Sequence, residues 1–520
     1  MDFFTAGRTG ILIALLFALS LLPVIYVGFY NYATGDDYWF GVYTYRAFVE
    51  TGSFLEAMKG SLRMVMEIYQ EWQGTWFTVF LFTLSPNNFI EGGYRLTVFI
   101  GLGLLIAAFS YLGHFYLVKK LNFTRGVTTV IVCMVLYPVI QYIPRTTSGI
   151  YWFNGVMHYS VPFFLGAAAV VHTQKFVEEK KKRDFILLFI CFTLLGGGSY
   201  LAPLAATLAA VLILISKLEI AEFNVKEKKL KLSYDWRNLW VLAGIGAELV
   251  GLVISFMAPG NSVRGGEEFG FSLKWAIQCI IQAIDRGIYL GEDYFLKNPF
   301  TAIIYLMLAL ILWQQMWKVD KEKYKFRCPL LFVIYLNGIY WASYTPEIYS
   351  RSDVSGGVSN TYFHLFLLIT LVNMVYVHGW LQRKLWERWE RQAEQQGMDT
   401  KDLAKTKILY QERFKYCLLF PLLTLGVIAF LGAGQLSHLT TTNEYCRRAI
   451  ESGKLEKYTR IREKQQRILM DENIQETLMP EAEAPYPLLH MGLSEDETMS
   501  RNVDMAKYYN KTSVKAYWVD

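Results

Sequence analysis

Apolar runs of about 16–24 residues recur along this chain, separated by segments dense in charge. As helices they are long enough to cross the hydrocarbon core of a bilayer. The runs predict membrane helices over Gly10–Tyr32, Tyr94–Val118, Gly126–Ile143, Tyr159–Phe176, Asn238–Met257, Phe300–Trp317, Pro329–Ser343, Tyr362–Leu381 and Tyr416–Leu436. Phe185–Leu218 is one apolar stretch interrupted by Gly196-Gly197-Gly198 and Pro203, which predicts two further helices joined by a tight turn. The expected fold class is therefore all-α: a polytopic transmembrane helix bundle of about 11 helices over residues 1–436, followed by a tail, 437–520. The first run has only Arg8 before it and no Ala-x-Ala site after it, so it is expected to stay as an uncleaved anchor.

Two polar segments, 33–93 and 259–299, are too long for simple connections. Within them Phe54–Met66, Ile68–Leu84 and Leu273–Leu290 mix apolar and charged residues at helical spacing. That pattern predicts amphipathic helices lying in the membrane interface. Glu387–Lys415 reads as a solvated, charged helix pair. The tail starts helical and charged, becomes loop-like around Pro480, Pro485 and Pro487, and ends on Ala506-Lys507-Tyr508-Tyr509. With few apolar residues it is expected to pack on the outer face rather than fold alone.

Basic residues set the orientation. Trp380 to Lys415 alone holds nine, whereas the short loops Arg145–His158 and Tyr344–Thr361 hold one each. Lys and Arg concentrate after every second helix, which predicts a cytoplasmic amino terminus, both long segments outside and an extracytoplasmic tail. The expected location is a membrane crossed many times. Composition agrees: 53% of the 520 residues are hydrophobic and only 18% charged, against about a quarter charged in soluble proteins. The net charge of +6 gives no reason to expect a nucleic-acid partner, because the basic residues fall in alternate loops. Six cysteines are scattered singly, without metal-ligand spacing, so no metal centre is expected from them.

Ionisable groups inside the apolar runs are few: Glu248, expected to pair within the bundle, with His114 and His172 nearer the ends of theirs. A coupled transporter usually places such groups near the midplane. Here Asp36, Asp37, Glu71, Arg145, His158, Arg264, Arg351 and Asp353 gather on the predicted outer side instead. Four patches carry most of them: Gly35-Asp36-Asp37-Tyr38, Glu71-Trp72-Gln73-Gly74-Thr75-Trp76, Trp152-Phe153-Asn154-Gly155-Val156-Met157-His158-Tyr159, and Ala258-Pro259-Gly260-Asn261-Ser262-Val263-Arg264. Together they resemble bacterial polytopic glycosyltransferases of the GT-C superfamily, and more closely a branch of it with a Pro-Gly-Asn…Arg outer loop. The resemblance implies a GT-C-like bundle, an essential acid in the first outer loop, a polyprenyl-phosphate-linked sugar as donor, an envelope glycan or lipid as acceptor, and inversion at the anomeric carbon.

That chemistry suits the residues. A hydroxyl attacking an anomeric carbon needs one general base, and a carboxylate can serve. A phosphate leaving group needs no general acid, unlike the two-carboxylate glycosidases, but it does need cationic donors. Asp37 is the candidate base, with Asp36 orienting it or joining it in holding a divalent cation such as Mg or Mn. Arg264, Arg351 and Arg145 are the candidate phosphate ligands, and Trp152, Asn154, His158, Asn261 and Glu71 the candidate substrate contacts.

Plainer roles compete at each position. Asp36 or Asp37 could cap a helix, Arg264 could anchor a lipid headgroup, and Arg351 could pair with Asp353 or Glu347. His158 could sit satisfied at the interface, Trp76 and Trp152 could belong to an aromatic belt, and Pro259-Gly260-Asn261 is expected to form a turn. The alternative functions are a transporter or flippase of a lipid-linked saccharide, and a non-catalytic membrane scaffold.

Overall fold

The computed structural model describes residues 6–224, 229–265, 272–320, 323–350, 356–396 and 440–519. Among them, six helices are long and apolar enough to cross a membrane: Ala6–Gly28, Gly93–Lys120, Phe153–Glu179, Trp236–Phe256, Pro299–Met316 and Val358–Gln395. Arg125–Gln141 and Leu201–Ser216 are apolar but shorter. The protein is thus a mostly helical, multi-pass membrane protein. The expected Tyr416–Leu436 helix lies outside the described residues.

Several boundaries move for identifiable reasons. The first run is two helices, Ala6–Ser20 and Leu22–Gly28, with Pro23 in the first turn of the second, where its missing N–H costs nothing. Phe185–Leu218 is two helices, Lys182–Leu195 and Leu201–Ser216, joined through the glycine turn. Arg145–His158, expected as a loop, instead coils through Thr147–Tyr151, Phe153–Gly155 and Val156–Ser160 into the Val161–Glu179 helix. Ile150, Tyr151 and Phe153 are buried there, and buried backbone must satisfy its own hydrogen bonds.

The basic loops meet at one end. Lys120 pairs with Glu178, Tyr324 Oη donates to Lys120 O at 2.8 Å, and Lys180 lies 3.5 Å from Asp235. The two long segments and the tail meet at the other end, so the alternation of charge along the sequence is also a segregation in space.

The first long segment holds three helices, Asp36–Thr51, Phe54–Glu71 and Trp76–Thr83. The middle one buries Ala57, Ser61, Met64 and Ile68 and leaves Phe54, Leu55, Leu62 and Met66 exposed. An apolar face turned outward on a charged helix fits an interfacial position. Leu273–Leu296 does the same, burying Cys279, Ala283, Gly287 and Gly291 while exposing Ile277, Ile281 and Ile288.

The tail folds as helices Thr442–Glu451, Lys454–Met470 and Ser500–Tyr509 with strand Glu476–Glu481 parallel to Ser513–Trp518. A second pair, Glu219–Asn224 with Lys229–Ser233, is antiparallel. These two short strand pairs accompany a fold that is otherwise helical, in line with the expected all-α class. The tail docks on the first segment: Tyr45 stacks on Tyr508 at 3.9 Å, and Tyr508 Oη donates to Asn88 Oδ1 at 2.9 Å.

This arrangement makes the topology testable. Single cysteines replacing exposed Lys59 and Glu495, in a background freed of native cysteines, are expected to react with an impermeant thiol reagent in intact spheroplasts. Cysteines replacing exposed Lys182 and Glu394 are expected to stay protected. Labelling at Lys182 together with protection at Glu495 would reverse the assignment of sides.

Candidate functional site

The acidic pair opens the Asp36–Thr51 helix. Gly35 precedes it with φ +52°, and a Cβ there would stand 2.3 Å from Met491 Sδ. Only glycine suits both the left-handed backbone and that contact. Gly35, not an aspartate, is the capping residue, so neither acid acts as the N-cap. Both sit in the first turn, where a helix N-terminus favours negative charge.

Asp37 is 3% exposed. Its Oδ2 accepts the Thr34 N–H at 3.0 Å, and its Oδ1 is buried without a hydrogen-bond partner. Burial pushes its carboxyl up to about 7, opposed by the Thr34 N–H. Asp36 is also raised by burial, with Arg501 opposing. Near neutrality Asp37 is therefore divided between its two protonation states, the condition that suits a general base.

Three neighbours of the acid escaped the sequence reading. Tyr94 Oη accepts the Phe153 N–H at 3.1 Å and adjoins Asp37. Thr34 Oγ1 donates to Met491 O at 3.1 Å, tying the tail across Gly35. Arg462, 8% exposed, donates to Ala33 O at 2.6 Å, Tyr38 Oη at 2.9 Å and Gln465 Oε1 at 2.8 Å. A signal for Arg462 exists: it and Gln465 interrupt the buried stripe Leu455, Tyr458, Ile461, Leu469 on one helix face.

The Glu71–Trp76 and Ala258–Arg264 patches come together. Pro259–Gly265 is a short helix rather than the expected turn. Asn261 Nδ2 donates to Ser255 O at 2.7 Å and to Phe256 O at 3.1 Å, and its Oδ1 accepts the Gly74 N–H at 3.3 Å. Asn261 therefore fastens two segments instead of facing a substrate. Arg264 is exposed, lies 5.2 Å from the Trp72 ring centroid and donates to Gln73 Oε1 at 3.3 Å. His158 Nδ1 is 3.0 Å from Thr78 Oγ1, and Arg264 lies within electrostatic reach of it. Rings connect this cluster to the acidic-pair helix: Trp39 to Trp72 at 6.0 Å, and Phe40 to Phe82 at 5.0 Å.

Other expected contacts fall elsewhere. Arg145 packs against Gly356 and exchanges backbone hydrogen bonds with the Asn360 amide. Glu71 is exposed at its helix end. Trp152 is half-buried with its Nε1 unpartnered, and Asn154 is buried with both amide atoms unpartnered. Arg351 and Asp353 lie outside the described residues. Among the described residues, no three His, Cys, Asp or Glu side chains group to hold a metal ion. Asp37 is enclosed, and Asp36 is under the field of Arg501.

An apolar groove of about 440 Å³ runs through the bundle, lined by Phe163, Gly166, Leu201, Ala202, Leu336 and Leu365 among others. One end reaches Lys120, Glu178 and Tyr324. The other reaches Leu201, just below the glycine turn whose Gly197 O accepts the Phe77 N–H at 2.9 Å. The groove thus approaches the strap that carries Trp76 and Gln73.

The chain matches no family model, no curated protein and no solved structure.

Proposed function

We propose that this chain is an integral membrane glycosyltransferase of GT-C type. It moves a sugar from a polyprenyl-phosphate donor to an envelope glycan or lipid acceptor, with inversion, on the outer face of a bacterial cytoplasmic membrane. One observation carries the reading: an apolar groove reaches Leu201, next to the glycine turn that takes the Phe77 N–H, and so leads towards the segment whose neighbours are Arg264, His158, Trp72 and Trp76, with the buried Asp37 carboxyl on the adjoining helix. The groove suits a polyprenyl chain. Arg264 suits the departing phosphate, and Asp37 suits the acceptor proton once the closed pocket around it opens. A divalent cation at the acidic pair is not needed for any of these steps. The direct test incubates purified protein with a panel of polyprenyl-phosphate sugars and measures release of polyprenyl phosphate. No release from any donor would remove the reading.

Arg264→Lys is expected to reduce turnover at least about tenfold, the loss of one charge-assisted bidentate pair. An ammonium cannot reproduce the fork. Its melting temperature should stay near the parent value, because the side chain is exposed. Parent turnover in the Lys variant would take Arg264 out of the site.

A specific observation favours a second reading, a flippase for a lipid-linked saccharide. Glu248 pairs within the bundle as expected, but with a hydroxyl rather than a charge. It is 1% exposed, its Oε1 accepts from Thr207 Oγ1 at 2.6 Å, and its Oε2 has no partner. Buried acids in membrane helices often mark transport routes. In the glycosyltransferase, Glu248→Gln is expected to retain turnover to within about threefold, an effect below 1 kcal/mol. Loss of lipid-linked saccharide translocation in proteoliposomes, with no sugar transfer at all, would favour the flippase.

A further inference from the structure

A second polar cavity lies beside the acidic pair, and the transfer chemistry above does not use it. It encloses about 350 Å³ between the Asp36–Thr51 helix, the 87–91 loop and the tail helix Lys454–Met470. That volume is at the lower end of small-molecule pockets, about 300–1,000 Å³. Residues more than 350 positions apart in sequence build it together, so it exists only when the tail is docked.

We propose that this cleft binds a neutral saccharide, which is the acceptor if the glycosyltransferase reading on which that role rests is correct. Its walls carry half-buried rings of Tyr32, Tyr45, Phe48, Phe89 and Tyr509. Sugar rings present apolar C–H faces that lie against aromatic faces, while their hydroxyls need amide and carboxylate partners around the edge. Asn87, Gln466 and the exposed Glu91 supply such groups, with Gln466 Nε2 donating to Glu91 Oε1 at 3.1 Å.

The charges argue against other ligands. Among the described residues the one cation lining the cleft, Arg462, already donates to Ala33 O, Tyr38 Oη and Gln465 Oε1. It offers little to a phosphate. Glu91 would repel one, and the mixed polar lining does not suit a lipid tail. The cleft is also placed for the reaction: Ala33 and Tyr38, which flank the acidic pair in sequence, line it, and Arg462 acts electrostatically on Asp37.

The test uses full-length protein in detergent and saturation-transfer NMR. The probes are neutral di- and trisaccharides of hexose and N-acetylhexosamine, a hexose phosphate and a tripeptide. Saturation is expected on the ring protons of at least one neutral sugar and not on the other two classes. Val49 and Ile90 line the cleft and are 61% and 60% exposed, so Val49→Trp and Ile90→Trp should fill it without disturbing the core. Each is expected to weaken binding about tenfold, the equivalent of one lost stacking contact. Leu62→Trp, at an exposed position outside the cleft, should bind as the parent does. The idea is overturned by no saturation of any neutral sugar at millimolar concentration. It is equally overturned by unchanged binding in both filled variants with parent-like melting, or by preference for the phosphate or the peptide. If both filled variants melt early, Asn87→Ala with Gln466→Ala replaces them, with the same expected loss. Saccharide binding that the filled variants abolish, in a protein that transfers no sugar, would sink the glycosyltransferase reading and leave the cleft standing. Sugar transfer unaffected by either filled variant would do the opposite.

Discussion

Asp37→Asn is expected to lose at least about a hundredfold in sugar transfer, the range set by removing a general base. Donor binding and detergent stability should remain. The substitution keeps shape and the hydrogen bond from Thr34 while removing the proton acceptor. The parent rate should rise with pH through a midpoint near the Asp37 value of about 7, because only the ionised acid accepts the acceptor proton. Stability should run the other way. A folded-state value raised above the ordinary 3.8 means that the fold favours the neutral form. That contribution is complete below about pH 4 and is lost as pH climbs through about 7. The parent should therefore melt lower at pH 8 than at pH 5 from this cause, and the Asn variant should gain on it at pH 8. Asp36 is less enclosed, and Asp36→Asn should be impaired less. If both Asn variants transfer sugar at the parent rate, the acidic pair is structural.

Gly74→Ala should be the most damaging change outside the acidic pair. A Cβ on Gly74 would stand 1.8 Å from Ser255 O and 2.8 Å from Ala258 Cβ. The first of these is backbone and cannot rotate away. Ser255 is held in turn, its Oγ donating to Gly196 O at 3.1 Å and its own carbonyl taking the Asn261 amide. Room can come only by parting residues 72–76 from the end of the Val241–Phe256 helix and the Pro259–Gly265 helix that follows it. That would break the Gly74–Asn261 hydrogen bond and carry Gln73 away from Arg264. Overpacking of this kind costs about 1–3 kcal/mol. The variant should melt several degrees early and lose at least about tenfold in turnover. Asn261→Ala, which removes the same tie without a clash, should give a milder loss in the same direction. A Gly74→Ala protein with parent turnover would show that the two segments need not touch for function.

Six membrane helices were legible because their runs are apolar at bilayer length, and burial in lipid leaves no other signal to compete with that one. Gly196-Gly197-Gly198 marked the division of Phe185–Leu218, since a run of glycines favours a turn, while Pro203 falls in the first turn of the second helix, where a proline is tolerated. The Asp36–Thr51 helix was not legible. Its buried face mixes Asp37, Tyr38, Phe40 and Thr44, and its partner is the tail, more than 400 residues away. Pro259-Gly260-Asn261 reads as a turn locally, but Pro suits the first turn of a helix, and Asn261 finds its partners on another segment. The acidic pair and the Arg264 patch were visible as patches. That they join through Trp39, Trp72, Phe40 and Phe82 is a tertiary fact, and so is the enclosure of Asp37. Arg462 shows the gap most clearly, because its partners Ala33 and Tyr38 precede it by more than 420 positions.

The tie between Thr34 and Met491 spans 457 positions, and that separation has a consequence for biogenesis. Ribosomes add about 5–20 residues per second, so the first outer segment waits about 20–90 seconds between emerging and meeting the strand that seals it. During that interval the future floor of the saccharide cleft has no wall, and the acidic pair stands open to water, its carboxyls free to ionise. The acidic pair can therefore be enclosed only after Met491 has been made and delivered to the same side of the membrane as residue 34. A truncated or half-inserted chain keeps the pair hydrated and the cleft absent. Delivery of the segment around Met491 then brings the cleft and the enclosure of the acidic pair into being together.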